Sequence, residues 1–184
     1  MSYQPNNRTA PQTNAGNATF KKGVIVIAGF IEIGDFPPNL GWKVINLDSI
    51  GYQLNTPTGL QTYQQAILDA VNRATPRTVI IVSTHQPVRQ FLGTHQNHFY
   101  SACVYPDGAR ITWAQWKPRL LRKYPANHAV VKAFEQNWVT WTSQCKNDNF
   151  GRCLKVALTV PNDTLANHAR QIIQTYEATY GTNY

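Results

Sequence analysis

The chain has 184 residues, 42% of them hydrophobic, which is enough for one domain with a real core and too few for two. Seventeen Lys and Arg against nine Asp and Glu give a formal charge of +8, which suits an anionic partner and equally a basic protein that is merely soluble. No apolar run approaches the roughly 18 residues of a membrane span, and the polar start MSYQPNNRTAPQTNAGNATFKK offers no secretory core, so a cytosol-like compartment is expected.

Residues 1–22 are rich in Asn, Gln, Thr and Pro and nearly devoid of large aliphatics. Such a segment buries too little surface to offset the entropy of ordering it, so it reads as a flexible arm before a single domain over 23–184. GVIVIAG then reads as a buried strand and KVINLDS as a second. TGLQTYQQAILDAVNRA sets Leu60, Tyr63, Ala66, Ile67, Ala70 and Val71 on one helical face, with Thr58 as the expected cap. RTVIIVSTH is a third strand, QPVRQFLGTH a short helix with proline in its first turn, and FYSACVYP a fourth strand.

Two helical stretches follow, ITWAQWKPRLLRKY, interrupted by Pro118, and ANHAVVKAFEQNWVTWTSQ, with Val130, Val131, Phe134, Trp138 and Trp141 at helical spacing. RCLKVALTV makes a fifth strand. DTLANHARQIIQTYEATY closes the chain as a helix with Asp163 as cap. Alternating strands and helices predict an α/β fold in three layers, a parallel five-stranded sheet flanked by helices, with its crevice at the carboxyl ends of the strands.

Between Arg110 and Lys132 lie six basic residues and no acidic one. With Trp113, Trp116, Trp138 and Trp141 nearby, this is either a surface that stacks on nucleic-acid bases or a core face with solvated cations. His95 and His98 are separated by two residues in a polar loop without a cluster to complete a metal site, and no metal is expected. Cys103, Cys145 and Cys153 form no CxxC pair. Cys145 and Cys153 are near enough to bridge, but an odd count in a cytosol-like compartment favours reduced, half-buried thiols.

The first strand runs into AGFIEIGDF. Gly29 and Gly34 keep the four-residue spacing of G-x-x-x-x-G-K-[ST], but Asp35 and Phe36 stand where the lysine and the hydroxyl belong. LDS at Leu47 to Ser49, VSTHQPVR at Val82 to Arg89, VYP at Val104 to Pro106 and NWVTW at Asn137 to Trp141 follow in order. In this succession the chain resembles the adenylate-kinase-like P-loop proteins of bacteria and phages, from about Gly23 to Trp141.

The resemblance implies a P-loop nucleoside-kinase-like fold, makes Asp48 and Ser49 substrate or metal contacts, and makes Arg89, Arg119 and Arg122 phosphate clamps. His85, after Ser83 and Thr84, reads as a general base or as part of a turn. In a working loop, backbone N–H groups and a helix N-terminus surround the phosphates while lysine reaches their oxygens. Here Glu32 and Asp35 add negative charge, and like charges repel by about 4 kcal/mol at ~4 Å for an effective dielectric near 20. Pro37 and Pro38 remove two N–H donors where a helix would begin.

Three readings stand at this point. The first is a kinase-like protein without a working loop, hence not an enzyme and with no cofactor, used as an oligomeric structural or binding component such as a virion or capsid protein that assembles through its arm. The second is an active nucleotide or polynucleotide kinase taking ATP and Mg²⁺, with Asp35 and Asp48 as ion ligands. The third is a nucleic-acid-binding module. Gly29 and Gly34 are otherwise explained as a tight turn needing positive φ.

Overall fold

A computed structural model describes residues 19–184; the arm expected at 1–22 lies mostly outside them. Five strands, β1 (Val24–Gly29), β2 (Lys43–Asn46), β3 (Thr78–Ser83), β4 (Tyr100–Pro106) and β5 (Leu154–Leu158), form one sheet in the order β2-β3-β1-β4-β5. Every neighbouring pair is parallel. The helices are α1 (Pro57–Arg73), α2 (Gln86–Thr94), α3 (Trp113–Leu121), α4 (Ala129–Asn147) and α5 (Leu165–Tyr180). The fold is the layered α/β architecture expected, and Val24 to Ala28 of the central strand are fully buried. Continuous apolar runs suit strands covered on both faces.

Local signals account for most helix ends. Thr56, not Thr58, caps α1: its hydroxyl accepts from the Gly59 N–H at 3.1 Å, because Pro57 takes the first helical position and the cap is the residue before it. Thr112 and Gln115 close a reciprocal capping box on α3, which runs through Pro118 and ends at Leu121. Thr164 occupies the cap position of α5, and Asp163, one residue earlier, still serves the helix start by accepting from the Thr164 N–H at 3.0 Å.

The two faces of the sheet follow from the strand period of two. Tyr100 meets Tyr176 and Tyr180 of α5, whereas Cys103, an odd step away, lies beside Cys145 of α4. Helix α5 and helix α4 therefore cover opposite faces. The connection from β1 to β2 contains only a single 3-10 turn, Pro38–Leu40. Rings fill the space beside it: Trp42 lies 6.0 Å from Tyr176 and 5.9 Å from Tyr184, and Phe20 stacks on Tyr180 at 4.5 Å. Phe20 and Lys21, at the end of the expected arm, are thus already fixed to the domain; the Lys21 N–H donates to the His98 carbonyl at 2.7 Å.

Candidate functional site

The loop after β1 occupies the carboxyl edge of the central strand, where a P-loop fold places phosphates. Several of its backbone groups are turned to internal partners. The Phe30 N–H donates to the Val104 carbonyl at 2.9 Å and the Ile33 N–H to the Phe30 carbonyl at 3.2 Å. The Glu32 carbonyl accepts from Arg119 Nη1 at 3.2 Å, and the Ile33 carbonyl accepts from the Leu165 N–H, at the start of α5, at 2.8 Å. Phosphate needs N–H groups pointing at it, and these carbonyls face the nearby donors instead.

Apolar side chains fill the same corner. Phe30, Ile33 and Phe36 are all buried, and the Phe30 ring lies 5.4 Å from Phe134, 5.9 Å from Trp138 and 6.2 Å from Trp116 in edge-on geometry. Of the two glycines only Gly34 has positive φ, at 89°; the second left-handed residue is Glu32, at 58°. Gly29 is instead a close approach, since a Cβ there would lie 2.8 Å from Ile33 Cδ1. Asp35 points to solvent. Pro37 is extended and the 3-10 turn follows, so no α-helix begins behind the loop.

The arginines separate by environment. Arg119, 7% exposed, donates to the carbonyls of Glu32, Pro161 and Asp163, the last at 2.6 Å, and its guanidinium lies 4.0 Å above the Trp116 ring. It fastens the loop to the β5–α5 connection; burial, then the Arg122 charge, lowers its pKa. Arg89 is turned away to a buried ion pair with Asp148 and to the Thr84 carbonyl. Arg122 is exposed.

The remaining residues line the β2 and β3 ends. Asp48 closes a turn by accepting from the Ile50 N–H at 2.9 Å, and the Ser49 carbonyl accepts from the Tyr52 N–H at 2.9 Å. The Ser83 hydroxyl bonds His85 Nδ1 at 2.5 Å. Tyr63 ties the two strand ends, its hydroxyl donating to the Leu47 carbonyl at 2.7 Å and accepting from the Ser83 N–H at 3.0 Å; burial pushes this phenol up to about 12. A cavity of about 280 Å³ takes in Arg89 alone among the expected site residues, and another of about 410 Å³ on α1 takes in none. The expected contacts are thus not gathered in either of these two cavities.

The basic run is largely engaged. Lys117 pairs with Glu135 at 3.2 Å, Lys123 with Glu32 at 3.8 Å and Arg110 with Asp107 at 3.8 Å. Trp116 and Trp138 are core residues, and Trp113 and Trp141 pack against that core. The His95 ring lies 5.2 Å from that of His98, and His95 Nδ1 bonds the Phe91 carbonyl at 2.8 Å. Among the described residues no three His, Cys, Asp or Glu side chains are grouped to hold a metal ion, and no helix is long and apolar enough to cross a membrane.

Sequence reasoning placed Tyr63 on a helical face without its tie between strand ends, and did not single out Asp148 or the convergence of the cysteines. Arg89 and Asp148 are 59 positions apart, so no local pattern links them. All three cysteines are free; Cys103 and Cys145 are buried rather than half-buried, and Cys153 is partly exposed.

No protein-family model and no curated protein matches the chain. Among solved structures, a gluconokinase from Sinorhizobium meliloti 1021 superposes with a TM-score of 0.56 over 90% of this chain and 99% of its own, at 13% identity. The chain has a P-loop kinase-like fold.

Proposed function

We propose that this chain is a kinase-like protein whose phosphate loop no longer works and that it acts as an oligomeric structural or binding component rather than by phosphoryl transfer. One observation carries the reading: the loop that would hold phosphate is packed with Phe30, Ile33 and Phe36, and its Phe30 and Ile33 N–H groups are spent on the chain's own carbonyls. Transfer of the kind a gluconokinase name implies needs N–H donors and a cation aimed at the phosphates. At the corresponding place this chain has Asp35 and a 3-10 turn.

The charge of +8 and the polar arm favour an assembly with an anionic component, as in a bacterial virus particle. The test is light scattering over a concentration series, with and without ATP and Mg²⁺, beside thermal denaturation in both conditions. Growth into defined assemblies with no nucleotide response is expected. A saturable ATP-dependent rise in melting temperature that disappears in Asp48→Ala would overturn the reading in favour of an active kinase.

A further inference from the structure

All three cysteines of the chain, Cys103 far in sequence from Cys145 and Cys153, line one cavity of about 280 Å³ together with Arg89, Asp148 and Lys155. The ladder explains the convergence. Cys103 of β4 is registered with Lys155 of β5, and the period of two sets Ser101, Cys103, Cys153 and Lys155 on the same face. Helix α4 lies across that face and adds Cys145.

The surroundings are not those of inert packing thiols, which sit among apolar groups. The neighbouring Cys103 thiol, together with the Arg89 and Lys155 charges and against the opposing effect of burial, holds the Cys145 thiol below its ordinary pKa. The neighbouring Cys145 and burial push Cys103 up. Asp148, the carboxylate of the cavity, is already engaged by Arg89. Ser101 Oγ, a neighbour of Cys153, is buried without a hydrogen-bond partner. At roughly 30 Å³ per water, the cavity has room for a small reagent.

We propose that this cavity is a thiol-modification site for small hydroperoxides, in which Cys145 supplies the attacking sulphur and Cys103 the resolving one. The Cys145 sulphur attacks the terminal peroxide oxygen and the O–O bond breaks. Cys145 becomes a sulfenic acid, and the other oxygen takes up a proton and leaves as an alcohol, or as water when the reagent is hydrogen peroxide. The Cys103 sulphur then attacks the Cys145 sulphur, the S–O bond breaks, and water departs with the Cys103 proton. Two electrons pass from the thiols to the peroxide, and a disulfide joins β4 to α4. A dithiol reverses it by exchange.

The test uses the full chain at neutral pH with stoichiometric hydrogen peroxide, with and without dimedone, read by intact mass and non-reducing peptide mapping. The wild type is expected to lose two hydrogens, to link the Cys103 and Cys145 peptides, and to recover with dithiothreitol. Cys103→Ser should accumulate a dimedone adduct on Cys145, Cys145→Ser should consume peroxide slower by about an order of magnitude, and Cys153→Ser should behave as the wild type. Thiols that stay unmodified until the protein is denatured, or a link or adduct formed first at Cys153, would overturn the proposal. The wild-type map decides the matter even where a serine variant fails to fold.

Discussion

Ile33 closes the turn that Gly29 leaves open: a Cβ on residue 29 would come within 2.8 Å of Ile33 Cδ1 and 3.2 Å of Ile81 Cγ2. The loop therefore folds back onto its own strand, and a side chain stands over the carboxyl edge of β1. Gly29→Ala is expected to cost about 1–2 kcal/mol by overpacking and Ile33→Ala about 2–4 kcal/mol by cavity formation. Because the clash is with a side-chain tip that the second change removes, the double variant should be more stable than the sum of the two predicts. Urea denaturation of the four proteins measures that coupling.

Restoring the lost motif residues should not restore nucleotide binding. Asp35→Lys with Phe36→Ser supplies the lysine and hydroxyl, but the helix whose N-terminus would face the phosphates is absent. Calorimetric titration with ATP and Mg²⁺ is expected to show no heat. Phe36 is 3% exposed, so its loss should also cost about 3 kcal/mol, visible as a lower melting temperature.

Two ion pairs should respond very differently to deletion. The Arg89 and Asp148 side chains are 7% and 13% exposed, so Asp148→Ala leaves a buried guanidinium unpaired and should cost about 3 kcal/mol, nearly independent of salt. Lys123 and Glu32, at 3.8 Å, have a lysine that is 56% exposed. Lys123→Ala should change stability by less than about 1 kcal/mol, and less again at high salt.

Asp163 should shape the acid limb of the stability curve. Burial raises its pKa, but the hydrogen bonds from His168 Nε2 at 2.8 Å and Asn167 Nδ2 at 2.9 Å outweigh this and hold the carboxyl below its ordinary range. A carboxyl whose pKa is lower in the folded state stabilises in full above the unfolded value, about 3.9, and loses that contribution as pH falls from there through the folded value. Asp163→Asn should therefore be less stable than the wild type at neutral pH, with the gap narrowing in acid. Thermal melts from pH 7 down to pH 2 check the direction.

The strands and helices were legible because each carries its own period: the VIVI and VIIV runs, the Tyr63–Ile67–Val71 face and the proline-led α2 need no distant partner to be recognised. The loop's departure was legible at Asp35, Phe36, Pro37 and Pro38. Its consequence was not. That Ile33 turns back on Gly29, or that Glu32 rather than Gly29 takes the left-handed backbone, depends on Leu165 and Arg119, which reach the loop from far along the chain. The cysteine convergence depends on strand register, and a slip of one residue would send Cys103 to the opposite face.

The Gly23 N–H donates to the Tyr176 hydroxyl at 2.5 Å across 153 positions of sequence. During synthesis β1 is among the first segments of the domain to emerge, yet the rings that meet Gly23 at its start come from Tyr176 and Tyr184. The start of the central strand must therefore wait for these rings while the ribosome adds everything between, at about 5–20 residues per second. Such long-range closure slows folding, and over 153 positions it leaves this edge of the sheet unsealed for roughly 8–30 seconds at that rate.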